Sequence, residues 1–464
     1  MINNFDDALD TIYSYVDYSM THAKDVSKQA FSLNNISALL KKMGDPQKKY
    51  PVIHVAGTKG KGSVCAMLAS ALQNAGLKTG LYTSPHLMRF NERIMVNGKM
   101  IRDADITRLT ADINEIVKSI DGISSFEFMT AMAFEFFKEQ KIDIAVVETG
   151  LGGRLDATNV VDPILSVITS VSYDHTNFLG STIEKIAAEK AGIIKKGIPV
   201  VCAFQPYSGA KTIIETIAAK NNAPWINVPD RYHFINRRTS AGGEGMLIWR
   251  VEDQKLMEKW CSAGASGNWQ PGEIDLPLRG IHQMQNTAAV YAALNKIKST
   301  FNSLDLKKAV EGISKTFWPC RFETLSEEPA LIVDGAHNSD SIDKLNSLID
   351  RYCGTKKVIC IFGASEDKNI DVMITRLAPH VDEFIMTRSI HPRAADPKLL
   401  QHYAAETGRR NRVTNSLEEA FAIYEAEQDP SVCYIAAGSL FVAGGIRELY
   451  MKNHPDIRYF AYTD

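Results

Sequence analysis

Between residues 52 and 63 the chain reads Val-Ile-His-Val-Ala-Gly-Thr-Lys-Gly-Lys-Gly-Ser, an apolar run that breaks into a loop of three glycines with a lysine and a closing hydroxyl. Gly57, Gly60 and Gly62 allow backbone angles and close approaches that bring successive N–H groups, Thr58 among them, onto phosphate oxygens, and Lys61 adds a point charge. A helix predicted over Ser63–Ala75 carries Val64, Leu68, Ala71 and Leu72 on one face and is stopped by Gly76. Its positive N-terminus, opening at Ser63, faces the same anion. The spacing is a shortened variant of G-x-x-x-x-G-K-[ST], because only Thr58 and Lys59 separate Gly57 from Gly60-Lys61. On its own the loop specifies ATP or GTP and no reaction.

Other polar groups stand where apolar runs end. Ile144-Ala-Val-Val-Glu148 is an apolar strand closing on a carboxylate, the placement that lets an acid hold magnesium beside a phosphate loop. Leu165 to Val171 leads to Ser172-Tyr-Asp-His175, which brings His175 to the same crevice. Thr83-Ser84-Pro85-His86-Leu87 follows another strand and offers hydroxyls to a metal or phosphate, although an ordinary turn explains it equally well. Further along, Leu331-Ile-Val-Asp-Gly-Ala-His-Asn338 groups Asp334, His337 and Asn338 at one strand end, a pattern of a site and not of a core. Lys190 lies in Glu184–Ile193, a helical pattern whose apolar positions Ile186, Ala187, Ala191 and Ile194 leave it reading as a solvated lysine.

The elements that must position these groups alternate. Strands are expected at Val52–Ala56, Thr79–Tyr82, Ile144–Glu148, Leu165–Val171 and Pro199–Ala203, with helices between, which indicates an α/β fold with a mostly parallel sheet. A second series, Ala330–Val333, Lys357–Phe362, Glu383–Met386 and Val432–Ala436, alternates with helices such as Ser341–Arg351 and Leu417–Glu427. The hinge is placed at Lys315-Thr-Phe-Trp-Pro-Cys-Arg321, where Pro319 disfavours regular structure, giving domains 1–316 and 317–464. Residues 229–274, with Gly242-Gly243, Gly264, Gly267 and Pro271, read as an irregular or β-rich insertion. Helices such as Ile36–Met43 precede the first strand. Two strand-end sites in different domains imply a cleft between them, with nucleotide on the first domain and closure aligning the substrates.

The 464 residues are 45% hydrophobic and 23% charged, with a net charge of -2. No basic block points to nucleic acid or an anionic membrane, and no apolar stretch is long enough to span a bilayer, so a small anionic ligand and a cytoplasmic location are expected. Seven scattered cysteines, never spaced C-x-x-C, read as reduced packing groups.

Taken together, Gly57-Thr-Lys-Gly-Lys-Gly-Ser63, Thr83–Leu87, Val147-Glu-Thr-Gly-Leu-Gly-Gly-Arg-Leu-Asp-Ala-Thr-Asn159, Asp174-His175, Glu189-Lys-Ala-Gly-Ile193 and Asp334-Gly-Ala-His-Asn338 resemble the folylpolyglutamate synthase family over roughly residues 36 to 450. The resemblance implies a Mur-ligase-like phosphate-loop ATPase domain followed by a smaller Rossmann-like α/β domain. It implies a ligase that uses ATP to activate a carboxylate as an acyl phosphate, which the amine of L-glutamate attacks to give an amide, ADP and phosphate. The acceptors would be dihydropteroate, reduced folates, or both, and the enzyme would be a monomer. By motif, Lys61 and Ser63 would contact phosphates, Ser84, Glu148 and His175 would hold Mg2+, and Lys190 matches a lysine that the family carbamylates. Asn286 and Arg321 would contact adenine or ribose, Asp334 and His337 the nucleotide and glutamate side, and Phe126 and Asp156 the pteroate. Two features depart from the family: Lys59 stands where many members have asparagine, and Phe31-Ser-Leu-Asn-Asn-Ile36 lacks an arginine-containing pattern. Two other readings stand beside this one. A Mur-type ligase of peptidoglycan precursors shares the plan but usually lacks the Glu148–Asp156 context, and a nucleotide-dependent switch ATPase leaves Asp334 and His337 unexplained.

Overall fold

Val52–Ala56 (β1) is buried at every position because its alternate residues face two different cores. Ile53 and Val55 pack with helix Lys61–Asn74, and Val52 packs with helix Ser125–Glu139. The structure, a computed structural model, describes residues 2–15, 32–240, 243–299 and 301–455. Further strands follow at Thr79–Tyr82 (β2), Ile94–Val96 (β3), Lys99–Met100 (β4), Ile144–Glu148 (β5), Leu165–Ile168 (β6), Val200–Cys202 (β7) and Trp225–Asn227 (β8). They form one eight-stranded sheet in the order β4-β3-β2-β5-β1-β6-β7-β8. All pairings from β2 to β8 are parallel, and the β3–β4 hairpin is an antiparallel edge. A sheet covered by helices on both faces favours such predominantly apolar central strands.

The stretch expected at residues 229–274 forms an antiparallel sheet of Tyr232–Ser240 (β9), Gly243–Arg250 (β10) and Gly272–Leu276 (β11), the last strand running two residues past it, with helix Gln254–Ser262 between the last two. The β-rich expectation therefore holds, while Gly242 lies outside the described residues, as does Phe31. Glu323–Glu327 (β12), Ala330–Val333 (β13), Lys357–Phe362 (β14), Glu383–Met386 (β15), Arg410–Val413 (β16) and Val432–Ala437 (β17) make a six-stranded sheet ordered β12-β13-β17-β14-β15-β16. It is parallel except for β12 on β13.

Several expected boundaries shift, and three of the shifts lie beside the site. The strand expected to run from Leu165 to Val171 stops at Ile168, because Ser170 leaves the ladder and its carbonyl accepts N–H bonds from Thr58 and Lys59. The helix after the phosphate loop begins at Lys61 and not Ser63, with Gly60 as its N-cap at φ +86°. A backbone angle in the left-handed region suits glycine, and a Cβ there would also lie 2.6 Å from Asn286 Oδ1. The Lys190 helix spans Ile183–Ala191. Among the described residues, no helix is long and apolar enough to cross a membrane.

Candidate active site

β1 sits between β5 and β6, so the carboxyl ends of three central strands open onto one crevice. The phosphate loop leaves β1 there and is fastened to the segment after β6. Thr58 and Lys59 both donate their N–H groups to Ser170 O, at 2.8 and 3.1 Å. The Thr58 hydroxyl donates to Ser172 O and accepts from Ser172 N, each at 3.1 Å. Thr58 thus spends its polar groups on shaping the loop. The donors left for an anion are the first-turn N–H groups of Lys61, Gly62 and Ser63, which an α-helix cannot satisfy internally.

Glu148, at the end of β5, faces this turn. Its Oε1 is 3.7 Å from Lys61 Nζ and its Oε2 accepts from Ser84 N at 3.3 Å. Burial raises its pKa above the ordinary carboxylate value, opposed by Lys61. Ser84, Lys61 and Glu148 are therefore brought together from three separate elements.

Lys190 is 4% exposed, against the sequence expectation of a solvated lysine, and its Nζ donates to Gly57 O at 2.9 Å. Desolvation, helped by the neighbouring Lys61 charge, pulls it down to about 7. The helix is drawn in by the glycine loop after β5: Arg154 N donates to Glu189 O at 2.7 Å, and a Cβ on Gly153 would lie 2.7 Å from the carbonyl oxygens of both Glu189 and Lys190. Only glycine permits that approach.

A second cluster crosses the cleft. Asp174 Oδ2 receives Lys59 Nζ at 2.9 Å and the Asn338 amide at 3.4 Å, while Lys368 Nζ lies 3.7 Å from Oδ1. Burial would raise the Asp174 pKa, yet the Lys59 and Lys368 charges hold it well below the usual range. His337 Nδ1 lies 2.8 Å from Gly335 O, which makes that nitrogen the donor and leaves Nε2, 3.4 Å from Lys59 Nζ, as an acceptor. Desolvation and then Lys59 keep His337 neutral, at about 3. His175, whose side chain is 48% exposed, is also neutral, because desolvation and the surrounding lysines outweigh Asp174.

The remaining expected residues have less direct access. Asp334 accepts from Phe322 N and Ala336 N, both at 2.8 Å, and so braces its own turn. Arg321 Nη1 donates to Cys320 O, and its charge lowers the otherwise raised pKa values of Asp334 and Glu148. Asn286 donates to Gln283 Oε1 at 3.0 Å, and Gln283 in turn donates to Ser63 Oγ at 3.3 Å. Asp156 is 5% exposed, with Oδ2 accepting from Leu151 N and Oδ1 from the N–H and hydroxyl of Thr158, so it shapes the glycine loop from within. Phe126 packs under Gly150 and stacks on Tyr82 with ring centroids 6.2 Å apart.

The sequence assigns no role to Gln283 or Lys368 and none to Asp174 beyond its place in a motif, and it places Asn338 in a strand-end site without its partner across the cleft. Their partners lie far away in the chain, 115 residues for Lys59–Asp174 and 164 for Asp174–Asn338. Among the described residues, no three His, Cys, Asp or Glu side chains form a ready metal cluster. Magnesium suits this arrangement, since it binds through one or two carboxylates completed by water and phosphate oxygens.

Two family models cover most of this architecture: the Mur ligase middle domain matches residues 55–294 and the Mur ligase glutamate ligase domain matches 320–440. The dihydrofolate synthase/folylpolyglutamate synthase of Bacillus subtilis is 36% identical over 424 residues, 90% of this chain and 94% of its own length. The chain belongs to the folylpolyglutamate synthase group of Mur ligases. The folylpolyglutamate synthase of Lacticaseibacillus casei is 32% identical to this Mur ligase, covering 89% of this chain and 93% of the relative. Among solved structures, the folylpolyglutamate synthase of Mycobacterium tuberculosis complexed with ADP and AMPPCP superposes with a TM-score of 0.80 at 30% identity. That match covers 90% of this chain and 95% of the other.

Proposed function

We propose that the chain is an ATP-dependent ligase that joins L-glutamate to dihydropteroate, to reduced folates, or to both through an acyl phosphate, releasing ADP and phosphate. The observation that carries this reading is the facing of two walls across one cleft: Lys61, Glu148 and Lys190 on the phosphate-loop side, His337 and Asn338 on the other. We place the division between the two domains at the hinge near residue 317. Because one chain supplies both walls, a monomer holds a complete site. Seven free cysteines suit a reducing compartment, and we place the enzyme in the cytoplasm.

Lys61 and the N–H groups of Lys61 to Ser63 hold the nucleotide phosphates and stabilise the charge of the transferring phosphoryl group. Asn286 and Arg321 border the nucleoside side, Asn286 being held by Gln283. Ser84, Glu148 and neutral His175 would hold Mg2+, which supplies Lewis-acid neutralisation of phosphate charge when bound. An ammonium at Lys190 does not fit that ligand set. With its pKa near 7, however, a fraction of Lys190 is a free amine at neutral pH. Carbamylation by carbon dioxide, which joins the amine nitrogen to carbon and releases a proton, would convert it to an anion facing the metal. His337 offers its Nε2 lone pair towards the cleft and orients the ammonium of glutamate, while Asp334 keeps the His337 loop in shape. Phe126 gives an aromatic face for the pterin, and Asp156 positions Gly150 and Leu151 beside it.

The acyl phosphate is tested with dihydropteroate whose carboxylate carries heavy oxygen. Transfer of one labelled oxygen into the released phosphate is the expected result, and unlabelled phosphate with labelled product amide would refute the pathway.

A further inference from the structure

Cys353 and Cys433 lie apart from the cleft. Cys353 caps the C-terminal end of helix Ser339–Tyr352, and Cys433 is the second residue of β17, in register with Ala330 of β13 and Val358 of β14. They are 80 residues apart in sequence, yet their sulfurs approach to 2.8 Å. Both thiols are free and buried, at 4% and 1% exposure. A formed disulfide has a sulfur–sulfur distance of about 2.05 Å, so closure asks for less than about 1 Å of movement. Thiols that served only as packing groups would not need to face each other across a helix end and a central strand.

We propose that Cys353 and Cys433 are a reversible modification site, closed to a disulfide by a hydroperoxide and reopened by a low-molecular-weight thiol. The surroundings assign the roles. Cys353 adjoins the exposed turn Gly354-Thr355 and the Lys356 cation, whereas Cys433 sits inside the sheet. The hydrogen bond shared with the Cys433 thiol lowers the Cys353 pKa, and Lys356 adds to this against the effect of burial. The Cys433 thiol is held up by the same hydrogen bond and by burial.

Cys353, next to the exposed turn, is the sulfur that as its thiolate attacks the terminal peroxide oxygen, cleaving the O–O bond and leaving a sulfenic acid; the released oxide takes a proton. Cys433 then attacks the sulfenic sulfur, forming the S–S bond and expelling water. With hydrogen peroxide, two thiols and one peroxide give one disulfide and two waters, the two electrons passing from sulfur to oxygen. Two equivalents of a small thiol reverse the step through a mixed disulfide.

The bridge would tie together the far ends of two elements that frame the His337 loop. The helix begins at its N-cap Asn338, and Ala436 O of β17 accepts from Asp334 N. Closure braces that loop from behind, so the oxidised chain melts at a higher temperature than the reduced one.

The test treats the full-length chain, in a Cys261→Ser background that removes the exposed thiol, with a small excess of hydrogen peroxide under native conditions. Thiol titration after quenching and denaturation, peptide mass mapping and thermal melting follow. The expected result is a loss of two thiols and two hydrogens, a cross-linked peptide pair holding Cys353 and Cys433, a raised melting temperature, and full reversal by glutathione. Cys353→Ser and Cys433→Ala should each abolish the bridge while keeping a cooperative melt. An unchanged thiol count, a bridge between other cysteines, or sulfinate at Cys353 without a bridge would overturn the proposal. Should a single variant fail to fold, protection of both peptides from alkylation in the oxidised parent, and its loss after glutathione, decides the same question.

Discussion

Replacing Asp174 by asparagine removes one charge from the cluster that joins the two walls of the cleft while preserving the side chain's shape. The carboxylate has Lys59 at 2.9 Å, Lys368 at 3.7 Å and the Asn338 amide at 3.4 Å, and the Asp174, Lys59 and Lys368 side chains are only 13%, 13% and 19% exposed. Truncating one partner of a fully buried pair costs about 3–5 kcal/mol, and exposed pairs contribute about 0–1 kcal/mol. At this intermediate burial we expect about 2 kcal/mol, or roughly 30-fold. The assay is kcat/KM for ADP release with ATP, dihydropteroate and L-glutamate, accompanied by circular dichroism melts to establish folding. Asp174→Asn and Lys59→Met should each lose roughly 30-fold, and the double variant no more than about the same, because both remove one interaction. A double variant that loses the product of the two effects, about 900-fold, would show independent residues and refute the Lys59–Asp174 pair that anchors this cluster on the phosphate-loop wall.

Three further outcomes follow from the site. Lys61→Ala and Glu148→Ala should each reduce product formation at least about 100-fold with an unchanged far-ultraviolet spectrum; full activity in either removes its proposed phosphate or metal role. Gly153→Ala puts a Cβ 2.7 Å from two backbone oxygens of the Lys190 helix. It should destabilise by about 2 kcal/mol and slow turnover at least about tenfold, so a parental melt with parental turnover would contradict the close-approach argument. For Lys190, a folded pKa of about 7 lies below the unburied value of 10.5. The unfolded chain then binds more protons between these limits, and stability rises with pH across that window. In carbon-dioxide-free buffer, the melting-temperature advantage of Lys190→Met over the parent should therefore shrink as pH rises from about 7 towards 10.5; a constant gap would mean that the lysine is not buried as an ammonium.

Much of the scaffold was legible because its signals are local. β1, β2, β5, β13, β14 and β15 start and stop where they are expected from sequence, since strands buried on both faces are built mainly of apolar residues, with polar groups such as Glu148 and Lys357 at their ends. The helix start at Lys61 was missed because Lys-Gly-Ser is a weak helix opening, and its start depends on the left-handed Gly60. β3 and β4 carry too few residues to signal themselves, and the alternation of β9, with exposed His233, Arg237 and Arg238, is broken by its neighbours. The phosphate loop, Glu148 and His337 could be read from strand-end chemistry. Lys190 could not, because its burial is imposed by Gly153 and Gly57 from other parts of the chain. The Lys59–Asp174–Asn338 cluster was equally hidden, for a charge pair 115 residues apart and an amide 164 residues further along leave no periodicity in sequence.

The central claim is most directly tested by ADP release from the purified chain in magnesium and ATP, with 7,8-dihydropteroate, tetrahydrofolate and L-glutamate supplied singly and together. Sustained release with formation of a glutamyl product should require L-glutamate and at least one of the two pterins in the same tube. Release that proceeds equally without glutamate or without either pterin would contradict the ligase account.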